Sequence, residues 1–102
     1  MRILDSDLRG LSVVTETGDP VGKISGFMFD IDTHSIIHYV VSKSRLLSAL
    51  LPDELIVHHS QVISVDEEKM VIKGGLTEVE ERARALQVRE ATSGVAQMTR
   101  QK

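Results

Sequence analysis

Between Leu11 and Gly75 the chain is a succession of short β-branched runs, each closed by glycine or a cluster of polar turn residues, with no helical period separating one run from the next. This spacing constrains the fold more than any other feature. Strands of such length joined by tight turns build a small barrel or sandwich. Parallel strands need long crossovers, usually helical, so their absence argues against a parallel sheet. The runs "LSVV" and "VGKISGFMFDID" flank "ETGDP", where Gly18 supplies positive φ cheaply and Pro20 fixes its own, the signature of a hairpin. In the second run Phe27, Phe29 and Ile31 share one parity, while Gly22 and Ile24 fall on the other. An extra residue near Ser25 and Gly26 restores the register, so a bulge or sharp bend is expected there. "SIIHYVVS" places Ile37, Tyr39 and Val41 on one face and Ile36, His38 and Val40 on the other, a strand buried on one side and partly covered on the other. "ELIVHH", "SQVISV" and "MVIK" follow, with "DEEK" as a turn before the last and Gly74-Gly75 closing the series.

A chain of 102 residues with 41% apolar content is sized for one small core. Two Phe, one Tyr and no Trp leave that core to Val, Ile, Leu and Met. The margin from burial is thin at this size, and oligomerisation would widen it. Without cysteine there is no disulfide framework and no thiolate site, which fits a cytoplasmic location. The opening "MRILDSDLRG" carries charge where a signal peptide needs an apolar run, and no stretch reaches the roughly 18 residues of a membrane span. A soluble protein is expected. Residues 1–75 hold eleven acids and seven bases and residues 76–102 four acids and five bases, net −4 and +1. Neither part is a polybasic surface, so phosphate neutralisation on nucleic acid has little support.

After Gly75 the pattern becomes helical. In "LTEVEERARALQVREA", Thr77 and Glu80 have capping-box spacing, Glu78, Glu80 and Glu81 favour the positive end of the dipole, and Glu78 to Arg82 and Glu80 to Arg84 are spaced i to i+4. Val79, Ala83 and Leu86 form a narrow apolar stripe. Three units follow: residues 1–75 as the β domain, 76–91 as a C-terminal helix, and 92–102 as an aperiodic tail expected to be disordered.

One segment breaks the alternation of strand and polar turn. "SRLLSALLPDE", residues 44–54, lies where a loop belongs, yet five of its eleven residues are leucine or alanine. Leu46, Leu47, Leu50 and Leu51 recur at i, i+1, i+4 and i+5, along one side of a short helix that Ser44 would cap and Pro52 would end. Such a helix either plugs an open end of the β domain or leaves leucines exposed as a docking patch.

Order and spacing together carry a family resemblance. Leu8, Gly10, Val13, Gly18, Gly22, Ile24, Phe29 and Asp30, with "HSIIHYVVS" and "LIVHHSQVISVDEEKMVI", resemble the PRC-barrel family over residues 4–73. That family includes the cytoplasmic domain of the reaction-centre H subunit and the C-terminal domain of a ribosome maturation factor. The resemblance implies a mainly β fold, a small antiparallel barrel of about six strands, here with a short helix between strands 3 and 4 and the helix at the C-terminus. It implies an interaction module with no catalytic residue set. Two positions depart from the family pattern: His58 and His59 stand where a proline and an aromatic are usual, and the leucine block stands where a glycine-containing loop is more common.

No constellation of catalytic residues competes with that reading. His34 and His38 lie about 13 Å apart along an extended chain, and adjacent His58 and His59 point to opposite faces, whereas a metal site needs three or four converging ligands. Asp30, Asp32, Asp53 and Glu54 fall at strand ends, where turn chemistry uses them. Ser25, Ser42 and Ser44 lie in no nucleophile elbow. "GDPVGKISG" lacks the strand, loop and helix order of a phosphate cradle. The expectation is a non-enzymatic, cofactor-free interaction module that forms a homodimer and engages a further protein, with Leu46, Leu47, Leu50, Leu51, Val79, Ala83 and Leu86 as candidate contacts. A ribosome-assembly factor touching ribosomal protein and RNA is the alternative, opposed by the acidic β domain. A metal- or small-ligand-binding barrel resting on the histidines is the weakest.

Overall fold

The structure, a computed structural model, describes residues 2–85. A four-residue helix, α1 (Asp5–Leu8), precedes six strands: β1 (Ser12–Thr15), β2 (Pro20–Asp30), β3 (Ser35–Lys43), β4 (Glu54–His58), β5 (Val62–Val65) and β6 (Lys69–Ile72). A single 3-10 turn, His59–Gln61, links β4 to β5. A second helix, α2, runs from 76 through 85, the last described residue. Leu86, the end of the expected helix and the 92–102 tail lie outside the described residues.

The strands form one sheet in the order β4-β3-β2-β1-β6-β5. Six strands match the expected number, but the sheet is mixed and does not close. β1 and β6 run parallel, Val13 opposite Met70 and Thr15 opposite Ile72, whereas the other four pairings are antiparallel. The crossover argument applies to consecutive strands. Here four strands intervene between the parallel partners, so no dedicated crossover helix is required. β4 and β5 are the two edges, joined in sequence by the 3-10 turn but unpaired.

The "ETGDP" turn forms as expected. Gly18 has φ +88°, and the Thr15 hydroxyl accepts the Asp19 N–H at 3.0 Å and shares a 2.9 Å bond with the Thr17 hydroxyl. Thr15 is therefore fully buried without an unsatisfied hydroxyl. The bulge is also where the parity break places it. Ile24 pairs with Val41 and Gly26 with Val40, leaving Ser25 as the extra residue. Ser25 is clamped from three sides: its single O–H is shared between the Val40 carbonyl at 3.3 Å and the Glu54 carboxylate at 3.1 Å, and its carbonyl accepts from the Arg9 guanidinium at 2.9 Å. Ile24 is thereby in the core while Phe27, three residues on, packs against the same core. A compensating irregularity follows, since Met28 pairs with His38 and Phe29 with Ile36, which skips Ile37 on β3.

Buried Val13, Val21, Ile24, Val41, Leu55, Val57, Met70 and Ile72 line the inner face of the curved sheet. Leu8 of α1 and Leu11 cover it at the N-terminal side, and Val79 and Ala83 of α2 join the same cluster. Val79 and Ala83 of the expected stripe are thus spent inside the chain's own core. Helix entry differs from the capping-box reading. The helix starts at 76, and Val79 N–H donates to the Gly75 carbonyl. Of the two expected i to i+4 pairs, Glu80 to Arg84 forms at 3.7 Å, while Arg82 donates to the Lys73 carbonyl instead.

Candidate interaction surface

The segment between β3 and β4 is not a helix. It consists of two successive turns built on a four-residue repeat, Ser44-Arg45-Leu46-Leu47 and Ser48-Ala49-Leu50-Leu51. In each, the serine hydroxyl accepts the N–H two residues on, at 3.3 Å for Leu46 and 3.2 Å for Leu50. In each, the serine carbonyl accepts the N–H three residues on, at 3.4 Å for Leu47 and 3.1 Å for Leu51. Serine favours this local bonding over helix propagation, which is why the leucine spacing fails to produce a helix here.

The repeat sorts the four leucines. The fourth residue of each turn points inward: Leu47 and Leu51 are each 4% exposed and belong to the core. The third points outward: Leu46 is 57% exposed and Leu50 91%. One segment therefore both fills the core and leaves two leucines exposed. Several bonds hold it in place. The Lys43 ammonium donates to the carbonyls of Ser48 and Leu51, the Ser44 hydroxyl donates to the Pro20 carbonyl at 2.9 Å, and the Ser44 N–H donates to the Val21 carbonyl at 2.7 Å. From the other side the Ser48 N–H donates to the Glu80 carboxylate of α2 at 3.0 Å. The leucine segment and the C-terminal helix, two candidate surfaces in the sequence, are thus neighbours in one layer.

A second apolar region, missed in the sequence, lies at the far end of the β2–β3 hairpin, where Phe29 and Ile31 are exposed and Met28 partly so. The turn beyond Phe29 is held by the Asp30 carboxylate, which accepts the N–H groups of Asp32 and Thr33, and by His34 at φ 56°. Asp30 therefore acts in turn geometry.

The histidines divide. His34 contacts only the Phe29 ring among aromatic neighbours, with centroids 6.4 Å apart. His38 and His58 are direct cross-strand partners, their rings edge to face at 5.1 Å, and His59 lies against His58 at 4.4 Å. Three of the four imidazoles thus come together, which the sequence did not show because the register between β3 and β4 is set across a ten-residue connection. Among the described residues, no group of three or more His, Cys, Asp or Glu side chains is placed to hold a metal ion.

Among known families, the model of the PRC-barrel domain matches residues 1–78. The chain belongs to the PRC-barrel family. A comparison with curated proteins returns no match. The matched range takes in all six strands, both leucine turns and the first turn of α2, so the Ser-x-Leu-Leu repeat of this PRC-barrel chain lies within the domain. No helix among the described residues of this PRC-barrel domain is long and apolar enough to cross a membrane.

Proposed function

We propose that this PRC-barrel chain is a non-catalytic interaction module that self-associates through the outward face of the leucine turns. The observation that carries the reading is Leu50, 91% exposed at the centre of a segment otherwise fixed by buried leucines, serine turns and the Lys43 and Glu80 bonds. A large apolar side chain held rigidly in water costs free energy that a partner surface recovers, and pre-ordering lowers the entropy lost on association. A second copy is the occupant we favour, because a two-fold dimer pairs one such patch with itself and the patch is free of charge at its centre. Arg45 at its margin supplies a polar rim.

Light scattering of the parent and of a Leu46→Asp, Leu50→Asp double variant tests this. The expected result is a dimer mass for the parent and a monomer mass for a variant with unchanged circular dichroism. A parent that is monomeric at high micromolar concentration, or a folded variant that keeps the dimer mass, overturns the assignment.

A further inference from the structure

Where α2 crosses β4 and the 3-10 turn, a cleft of about 410 Å³ opens, lined by His38, Ile56, His58, Ser60, Gln61 and Arg82. Among the described residues, no carboxylate lines it. Its most informative member is Arg82, which is half-buried. Among the described residues its guanidinium has no carboxylate within ion-pair distance, and its one protein bond is to the Lys73 carbonyl. A guanidinium carries five N–H donors and a permanent charge, so most of its hydrogen-bonding capacity and all of its charge remain uncompensated by the described residues. A partly desolvated cation without a counter-charge is costly unless an anion reaches it.

The neighbours supply further donors of the same kind. The Nδ1 atom of His58 accepts the Ser60 N–H at 3.1 Å and lies 2.7 Å from the Ser60 hydroxyl. That bond places the proton of a neutral His58 ring on Nε2, making Nε2 a donor. Contacts with the His38 and His59 rings fix the plane of the imidazole. Gln61 contributes an amide from the 3-10 turn, and Ile56 forms an apolar wall.

We infer that this cleft binds a phosphate group, carried by a small phosphomonoester. Donors arrive from β4, the 3-10 turn and α2, three separate elements. That arrangement suits a tetrahedral oxyanion with three accepting oxygens, whereas a planar carboxylate would be satisfied by the guanidinium fork alone. The cleft volume exceeds what phosphate fills and lies within the range of small-ligand sites, leaving room for an organic portion against Ile56. The site is separate from the exposed leucines and does not depend on self-association.

The test is a titration of the full chain, followed by amide and side-chain nitrogen NMR at constant ionic strength, with inorganic phosphate, phenyl phosphate and benzoate as probes. Shifts are expected at Arg82 Nε, the Gln61 side-chain amide and the Ser60 N–H with both phosphates. Arg82→Gln should weaken binding about tenfold or more, and Arg82→Lys, which keeps the charge but not the fork, by less. Spectral dispersion of the lysine variant confirms that the fold persists. Tighter binding of phenyl phosphate supports an ester as the ligand, and equal binding supports the free ion through the same chemistry. Absence of shifts with either phosphate, affinity unchanged in Arg82→Gln, or benzoate binding as tightly as phenyl phosphate overturns the proposal.

Discussion

The backbone N–H of Ser48 donates to the carboxylate of Glu80 across 3.0 Å, joining the second leucine turn to the helix that closes the core. Thirty-two residues separate them in sequence. The bond satisfies a turn amide and orients α2, whose Val79 and Ala83 then reach the sheet. Glu80→Ala removes the acceptor and leaves that amide unpaired. A loss of about 1–2 kcal/mol is expected, the lower end reflecting the partial exposure of the glutamate. Denaturant melts measure it, and hydrogen exchange at Ser48 should accelerate specifically.

The Ser-x-Leu-Leu repeat predicts opposite outcomes for adjacent leucines. Leu47→Ala and Leu51→Ala open cavities in the core and should each cost about 2–5 kcal/mol. Leu46→Ala and Leu50→Ala, on the outward face, should leave monomer stability within about 0.5 kcal/mol of the parent. Chemical denaturation of the four single variants, at a concentration where the chain is monomeric, separates the pairs.

Gly22 lies in β2 opposite Val13 on one side and Lys43 on the other. A Cβ at this position would run into the Ser42 carbonyl and crowd Val41. The obstacle is backbone, which cannot rotate away as a side-chain tip would. Gly22→Ala should therefore separate β2 from β3 locally and lower stability by about 1–3 kcal/mol or more. Gly10 and Gly18, with open space around them, should respond to alanine only through their positive φ. Thermal unfolding of the three alanine variants compares the two causes.

The turn between β5 and β6 should respond to acid. Asp66 accepts the N–H groups of Lys69 and Glu68, at 2.9 and 2.7 Å, and these bonds hold its carboxyl below the ordinary carboxylate range. Because the folded-state value is depressed, the stabilisation is present above the unfolded carboxylate pKa and is lost as pH falls through the folded one. An NMR titration of the Asp66 carboxyl carbon should place its midpoint below the ordinary aspartate range. The Lys69 and Glu68 amide shifts should move with the same midpoint. In Asp66→Asn both amides lose this titration.

Local patterns were the most readable part of the sequence. The turn at Gly18, the extra residue at Ser25 and the end of the last strand shortly before Gly74 all follow from short-range backbone preferences or side-chain parity. Long-range pairing was not readable in the same way. The parallel match of β1 to β6, the meeting of His38 with His58 and the reach of Glu80 to Ser48 depend on which strands become neighbours, and no local period encodes that. The leucine block shows the limit in a different form. Its i, i+4 spacing satisfies a helix and two stacked turns equally, and the hydroxyls of Ser44 and Ser48 decide between them. The small helix α1 escaped notice because four residues are too few for a period and its N-cap position, Leu4, makes no side-chain cap bond.

The clamped bulge at Ser25 has a consequence for how this sequence tolerates change in length. Ser25 faces no residue of β3, since Ile24 pairs with Val41 and Gly26 with Val40, so removing it would keep those pairings and the faces of everything that follows in the hairpin. Phe27 would stay on the core side opposite Tyr39, and the loss would fall on the bonds that Ser25 makes to Val40, Glu54 and Arg9. A one-codon deletion is thus absorbed at this point, whereas the same deletion at a paired position of β2 such as Lys23 would turn the neighbouring side chains over to the opposite face.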